Sequence, residues 1–115
     1  MKKLSKKKIE QIYKNGNHIN GRLFKLIWHH EINQFETMDV VISIPKKYIK
    51  KAVDRNYIKR IIKESIRSYN LFKFKNEKIN VILIYNKSIV SKFKDVKIDL
   101  LNLCTTINTR LNENN

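Results

Sequence analysis

Cations are the residues in this sequence best placed to do chemistry. The stretch KKAVDRNYIKRIIKESIR (residues 50–67) follows the loop KKYIKK (residues 46–51), and in both, lysines and arginines alternate with apolar side chains. At about 100° per residue, Ile58, Ile61, Ile62, Ser65, Ile66 and Tyr69 fall on one arc of a helix. Asn56, Lys59, Arg60, Lys63 and Arg67 share the adjoining arc. A helix built this way is anchored by its apolar face and presents N–H donors and positive charge on the other. Neutralising a row of phosphates is the chemistry that suits it. The whole chain points the same way: 25 Lys and Arg against 10 Asp and Glu give +15 on 115 residues, with a pI near 10.0. A polyanionic partner relieves the self-repulsion of such a charge.

The other reactive side chains offer less. His29 and His30 are neighbours on a predicted strand, so they point to opposite faces and cannot chelate one metal together. With no cysteine pair or carboxylate cluster nearby, no protein-built metal site is expected. Cys104 has no second cysteine to pair with, which fits a reducing, cytoplasmic address, and its place on an apolar helix face reads as a buried, inert thiol. There is no glycine-rich phosphate loop and no acid–base constellation, so no catalytic residue is assigned. Trp28, Phe24 and Tyr13 are either core aromatics or platforms for stacked bases, and periodicity leaves both open. The basic start MKKLSKKK is followed by IEQIYKNGN rather than by an apolar run. No segment approaches about 18 uninterrupted apolar residues, so a soluble chain is expected.

These side chains need a scaffold, and the patterning supplies one. At 42% hydrophobic residues with two Gly and one Pro, residues 1–115 read as a single compact domain. A helix over Leu4–Asn15 stops at Gly16, and strands follow over Arg22–His30 and Met38–Ile44, the second ended by Pro45. Residues 33–36 form the loop between those strands. After the basic helix come a polar loop (residues 70–78), a doubly covered strand Ile79–Tyr85, a loop over Asn86–Ser91 and a helix Lys94–Leu111. A frayed tail is expected from about residue 111 to residue 115.

The segment PKKYIKKAVDRNYIKRIIKES resembles the signature of the protein subunit of bacterial ribonuclease P, and the similarity runs over nearly the whole chain. Lys46, Lys47, Ala52, Arg55, Asn56, Lys59, Arg60 and Glu64 occupy the signature positions. Tyr57 stands where the family usually has the second arginine of its Arg-Asn-Arg motif, and Lys63 replaces an arginine, which keeps the charge but loses the bidentate fork. Upstream, Ile9, Ile12, Tyr13 and Gly16 match the family's first helix, and Arg22 and Phe24 the start of its long strand.

The resemblance implies an α+β fold, a single-domain α/β sandwich of order αβββαβα. Its mixed central sheet has a short extra strand around residues 17–20 and a left-handed βαβ crossover, where the general rule gives a right-handed one. It implies binding to a large catalytic RNA, one protein per RNA, with that RNA cutting the 5′ leader from precursor tRNA. Magnesium is expected to serve the RNA, with no cofactor bound by the protein alone. Lys46, Lys47, Lys50, Lys51, Arg55, Asn56, Lys59, Arg60, Lys63 and Arg67 would face the catalytic RNA. Ile9, Ile12, Tyr13, Arg22, Phe24 and Lys46 would border a groove for the leader. Two other classes share the charge: a ribosomal or double-stranded-RNA-binding module without a nuclease role, and a cationic membrane-surface protein. The first lacks the Arg-Asn and Lys-Arg spacing. The second needs an apolar helix face free for lipid, whereas these helices have strands to pack on.

Overall fold

A computed structural model describes residues 5–31, 38–74 and 78–113. The elements run α1 (Lys6–Asn15), β1 (Asn17–Asn20), β2 (Phe24–Glu31), β3 (Met38–Ser43), α2 (Ala52–Ser68), β4 (Lys78–Tyr85) and α3 (Phe93–Glu113). The sheet order is β1-β2-β4-β3. β2 pairs antiparallel with both β1 and β4, whereas β3 and β4 are parallel. A parallel pair cannot be closed by a tight turn, and here α2 makes the connection. This is the αβββαβα order, with a mixed sheet.

Side-chain alternation along the strands divides the interior in two. Phe24, Leu26, Trp28, Val40, Ile79, Val81, Leu83 and Tyr85 point to the side covered by α2 and α3, where Ile58, Ile62, Ile66, Leu100, Leu103 and Ile107 complete the main core. On the opposite side Ile27 and Ile82 pack with Ile12 of α1, flanked by the partly buried Ile9, Val41 and Ile84. β4 is apolar on both faces because it lies mid-sheet, between β2 and β3, with helices on either side.

Ser5 caps α1, its hydroxyl accepting the Lys8 N–H at 3.2 Å. At the other end Gly16 is required by contact rather than by dihedral angle. A Cβ there would lie 2.4 Å from the Ile12 carbonyl oxygen and 2.9 Å from Ile27 Cγ2, so only glycine lets α1 end this close to β2.

The structure departs from the sequence reading at several places. Arg22 and Leu23 form a bend rather than strand, because their N–H groups donate to the two carboxylate oxygens of the buried Asp99 at 2.8 and 2.9 Å. The stretch after α2 is not simply polar: Leu71 and Phe72 are buried, and Asn70 and Phe72 have φ of 49° and 63°. Two left-handed residues turn the chain back sharply enough to drop both apolar side chains into the core, and a non-glycine residue holds such a conformation only when its surroundings enforce it. Tyr69, expected on the buried arc, is exposed. α3 continues to Glu113, past the Leu111 at which the helix is expected to end, and Leu111 is buried; residues 114–115 of the expected frayed tail lie outside the described residues. The loop expected at residues 33–36 lies outside the described residues. Among the described residues, no helix is long and apolar enough to cross a membrane.

Candidate nucleic-acid interface

The two arcs of α2 separate as its periodicity predicts. Ile58, Ile61, Ile62, Ser65 and Ile66 are buried, and Asn56, Lys59, Arg60, Lys63 and Arg67 are exposed. Those five, with Glu64, line a shallow concavity of about 390 Å³. The preceding loop adds Lys46, Lys47, Lys50 and Lys51, all exposed. It is held by a tight turn in which the N–H groups of Tyr48 and Ile49 both donate to the Pro45 carbonyl at 3.1 Å. The side chain of Ile49 is buried in the main core.

Arg55 differs from the other cations. It is half-buried, and its Nη1 donates to the carbonyls of Ile49 and Lys50 at 3.0 and 2.7 Å. It therefore straps the lysine loop to the first turn of α2, a role that residue type and spacing did not reveal. Arg67 is partly answered within the protein: it pairs with Glu64, which also accepts from the Ser68 hydroxyl at 2.9 Å. Those two partners, the hydroxyl first, hold the Glu64 carboxyl below its ordinary pKa. Two tyrosine rings carry cations over them: the Lys47 ammonium lies 4.9 Å from the centroid of Tyr48, which is half-buried against the main core, and the Arg60 guanidinium 5.6 Å from that of the exposed Tyr57.

The residues expected to border the second surface are not all brought together. Ile9 and Ile12 face the sheet, but Ile12 is fully buried and acts as core. Tyr13 is 44% exposed. Phe24 is only 1% exposed, and it lies on the opposite face of the sheet from α1, edge-on to Tyr85 with centroids 5.5 Å apart. Its ring is unavailable to anything bound beside α1. Arg22 is exposed but sits at the bend beside the start of α3. What α1 leaves partly open is a row across the strands, Lys25, Ile84 and Ser43, which are register partners and all half-buried, with Asn20 exposed at its β1 end. Strand parity alone could have found that row.

This combination of a sheet covered on both sides and a crossover helix with its cations turned outward can be compared with known proteins. The Ribonuclease P family model matches residues 2–108. The chain belongs to the Ribonuclease P family. A relative from Nitrosococcus oceani, the "Ribonuclease P protein component", is 36% identical over 58 residues, 50% of this chain and 47% of that protein. The chain thus spans about half the length of the curated relative it matches. The RNase P protein of Staphylococcus aureus shares the fold with a TM-score of 0.76 at 21% identity, over 90% of this chain and 92% of that one. That of Thermotoga maritima gives 0.73 at 22% identity, over 90% and 96%.

Within the Ribonuclease P signature, Lys46, Lys47, Asn56, Lys59 and Arg60 are therefore surface groups, whereas Arg55 is partly structural. Among the described residues, no group of three or more His, Cys, Asp or Glu side chains is placed to hold a metal ion. Burial, then Lys8 and His30, lowers the pKa of His29, which favours its neutral form. Burial raises the Cys104 thiol above its ordinary value, and the thiol accepts the Phe72 N–H at 3.4 Å. A protonated, half-buried sulfur is a poor nucleophile. What the surface can do is bind anions.

Proposed function

We propose that this chain is the protein subunit of ribonuclease P, an endoribonuclease of tRNA 5′ maturation in which the RNA partner carries the catalysis. The observation that carries the proposal is the family match over residues 2–108, which coincides with an exposed arc of cations on the helix bearing the family signature. The arc and the loop at residues 46–51 bind the catalytic RNA, each lysine or arginine displacing counterions from a phosphate. That neutralisation lowers the magnesium the RNA needs in order to fold. The protein supplies no acid, base or metal. The single-stranded leader of precursor tRNA lies along the α1 side of the sheet, past Tyr13 and the row of Lys25, Ile84 and Ser43, towards Lys46. One protein serves one RNA, in the cytoplasm, where a lone cysteine stays reduced.

The test is reconstitution of the chain with a bacterial ribonuclease P RNA and a precursor tRNA at low magnesium. Accurate leader removal, dependent on the protein, is the expected result. Tight binding to that RNA with no gain in cleavage would instead favour a structured-RNA-binding protein without a nuclease role.

A further inference from the structure

We propose that Tyr57, with Arg60 over its ring, is a stacking platform for one unpaired base of the RNA partner. The inference rests on the RNA-binding reading of α2 and specifies what that face recognises. Tyr57 belongs to neither core cluster and is 38% exposed, so part of its ring is open to a ligand. One turn earlier, on the same side of the helix, Val53 is 70% exposed. An aromatic ring and a branched apolar residue thus interrupt a face otherwise made of cations, one amide and the Glu64 carboxylate that pairs with Arg67. Fully hydrated phosphate contacts do not require such a strip.

The ring is also oriented. The Arg60 guanidinium lies 5.6 Å from its centroid, within cation–π range, and this contact limits the rotamers of both side chains before any ligand arrives. A planar guanidinium can lie on an aromatic ring and still direct N–H groups at a phosphate. A base seated on Tyr57 would thus have the cation of Arg60 beside its own backbone. Asn56 is exposed and lines one concavity with Arg60, where its amide offers both a donor and an acceptor to a nucleotide held by that guanidinium. Arg60 at the ring, with Lys59 and Lys63 farther round the exposed side of the helix, favours an anionic occupant. An unpaired nucleotide fits, because bases inside an A-form helix are stacked on one another and present no free face. Tyr57 stands where the family motif has an arginine, so this chain would recognise a base at a point where relatives place a charge.

The experiment measures affinity for a transcribed bacterial ribonuclease P RNA across a salt series, for the parent, Tyr57→Phe, Tyr57→Leu, Tyr57→Ala and Lys59→Ala, each shown folded by its circular dichroism melt. Stacking predicts that Tyr57→Ala and Tyr57→Leu both weaken binding, roughly fivefold to a hundredfold, with the slope of log affinity against log salt unchanged. Tyr57→Phe should stay within about twofold of the parent. Lys59→Ala should lower the slope by about one unit or slightly less. Chemical probing of the RNA should show one unpaired base protected by the parent and by Tyr57→Phe but exposed with Tyr57→Ala. Parental affinity in Tyr57→Ala or Tyr57→Leu, while Lys59→Ala loses slope, overturns the platform and leaves the RNA-binding reading standing. A parent that does not bind the RNA at all overturns both.

Discussion

The outer arc of α2 and the α1 side of the sheet are both candidate RNA surfaces, yet they are made differently. The α2 arc consists of side chains that the fold can spare, because Ile58, Ile61, Ile62 and Ile66 secure the helix from behind. The α1 side of the sheet has no such division of labour: Ile12, Ile27 and Ile82 are core, and their partly buried neighbours Ile9, Val41 and Ile84 are at once packing and surface. A helix separates anchoring from binding by angle. A half-covered sheet lets one row serve both, so substitutions there should disturb stability and binding together.

The sharpest test of that contrast sets the back of α2 against its front. Ile62→Ala should lower stability by about 2 to 5 kcal/mol, seen in a denaturant melt, since the side chain is fully buried. If it melts like the parent, the anchoring face is wrongly assigned. Simultaneous replacement of Lys59, Arg60 and Lys63 by Ala should leave the melt close to the parent's, because exposed charges contribute little to stability. The salt slope of RNA affinity should fall by roughly two to three units. A large loss of stability in the triple variant would erase the distinction between the two arcs. On the α1 side, Gly16→Ala must displace backbone or Ile27 and should lower stability by about 1 to 3 kcal/mol, weakening leader binding as well; a variant that is less stable but binds leader normally would separate what the sheet face is argued to combine. The smallest effect is expected for Tyr13→Ala, about 1 kcal/mol from one stacked base. It should appear only with precursor tRNA carrying a leader and not with mature tRNA, in binding to the reconstituted enzyme. Equal losses for both ligands would remove Tyr13 from the leader path.

Much of this was legible in the sequence, for identifiable reasons. The period of 3.6 residues split α2 into a core arc and a cationic arc, and only Tyr69, at the last turn where the helix ends, fell on the wrong side. Nearness along the chain groups Tyr13, Arg22 and Phe24, whereas parity along β2 places Phe24 with Leu26 and Trp28, facing away from α1. The turn at Leu71 and Phe72 was only half legible: Asn70 is a residue type that adopts left-handed backbone readily, but Phe72 gives no such mark. The Arg55 strap was hidden because a guanidinium bound to carbonyls has the same spacing as one bound to phosphate. Asp99 did leave a signal: a lone acid among Val96, Leu100 and Leu103 on the apolar side of α3 needs a buried donor, and the Arg22 and Leu23 N–H groups supply it.

The place of β4 in the sheet bears on how this protein is made. It is the last strand in the chain, yet it lies between β2 and β3 and joins them. During synthesis from the N-terminus, β3 therefore waits without a neighbour, and β2 has only the four residues of β1 to pair with, until residues 78–85 leave the ribosome. α2 is translated before its supporting layer exists. The helix that carries the cationic arc thus depends on β4 for the sheet it packs on, and a chain halted before residue 78 lacks the strand that joins β2 to β3.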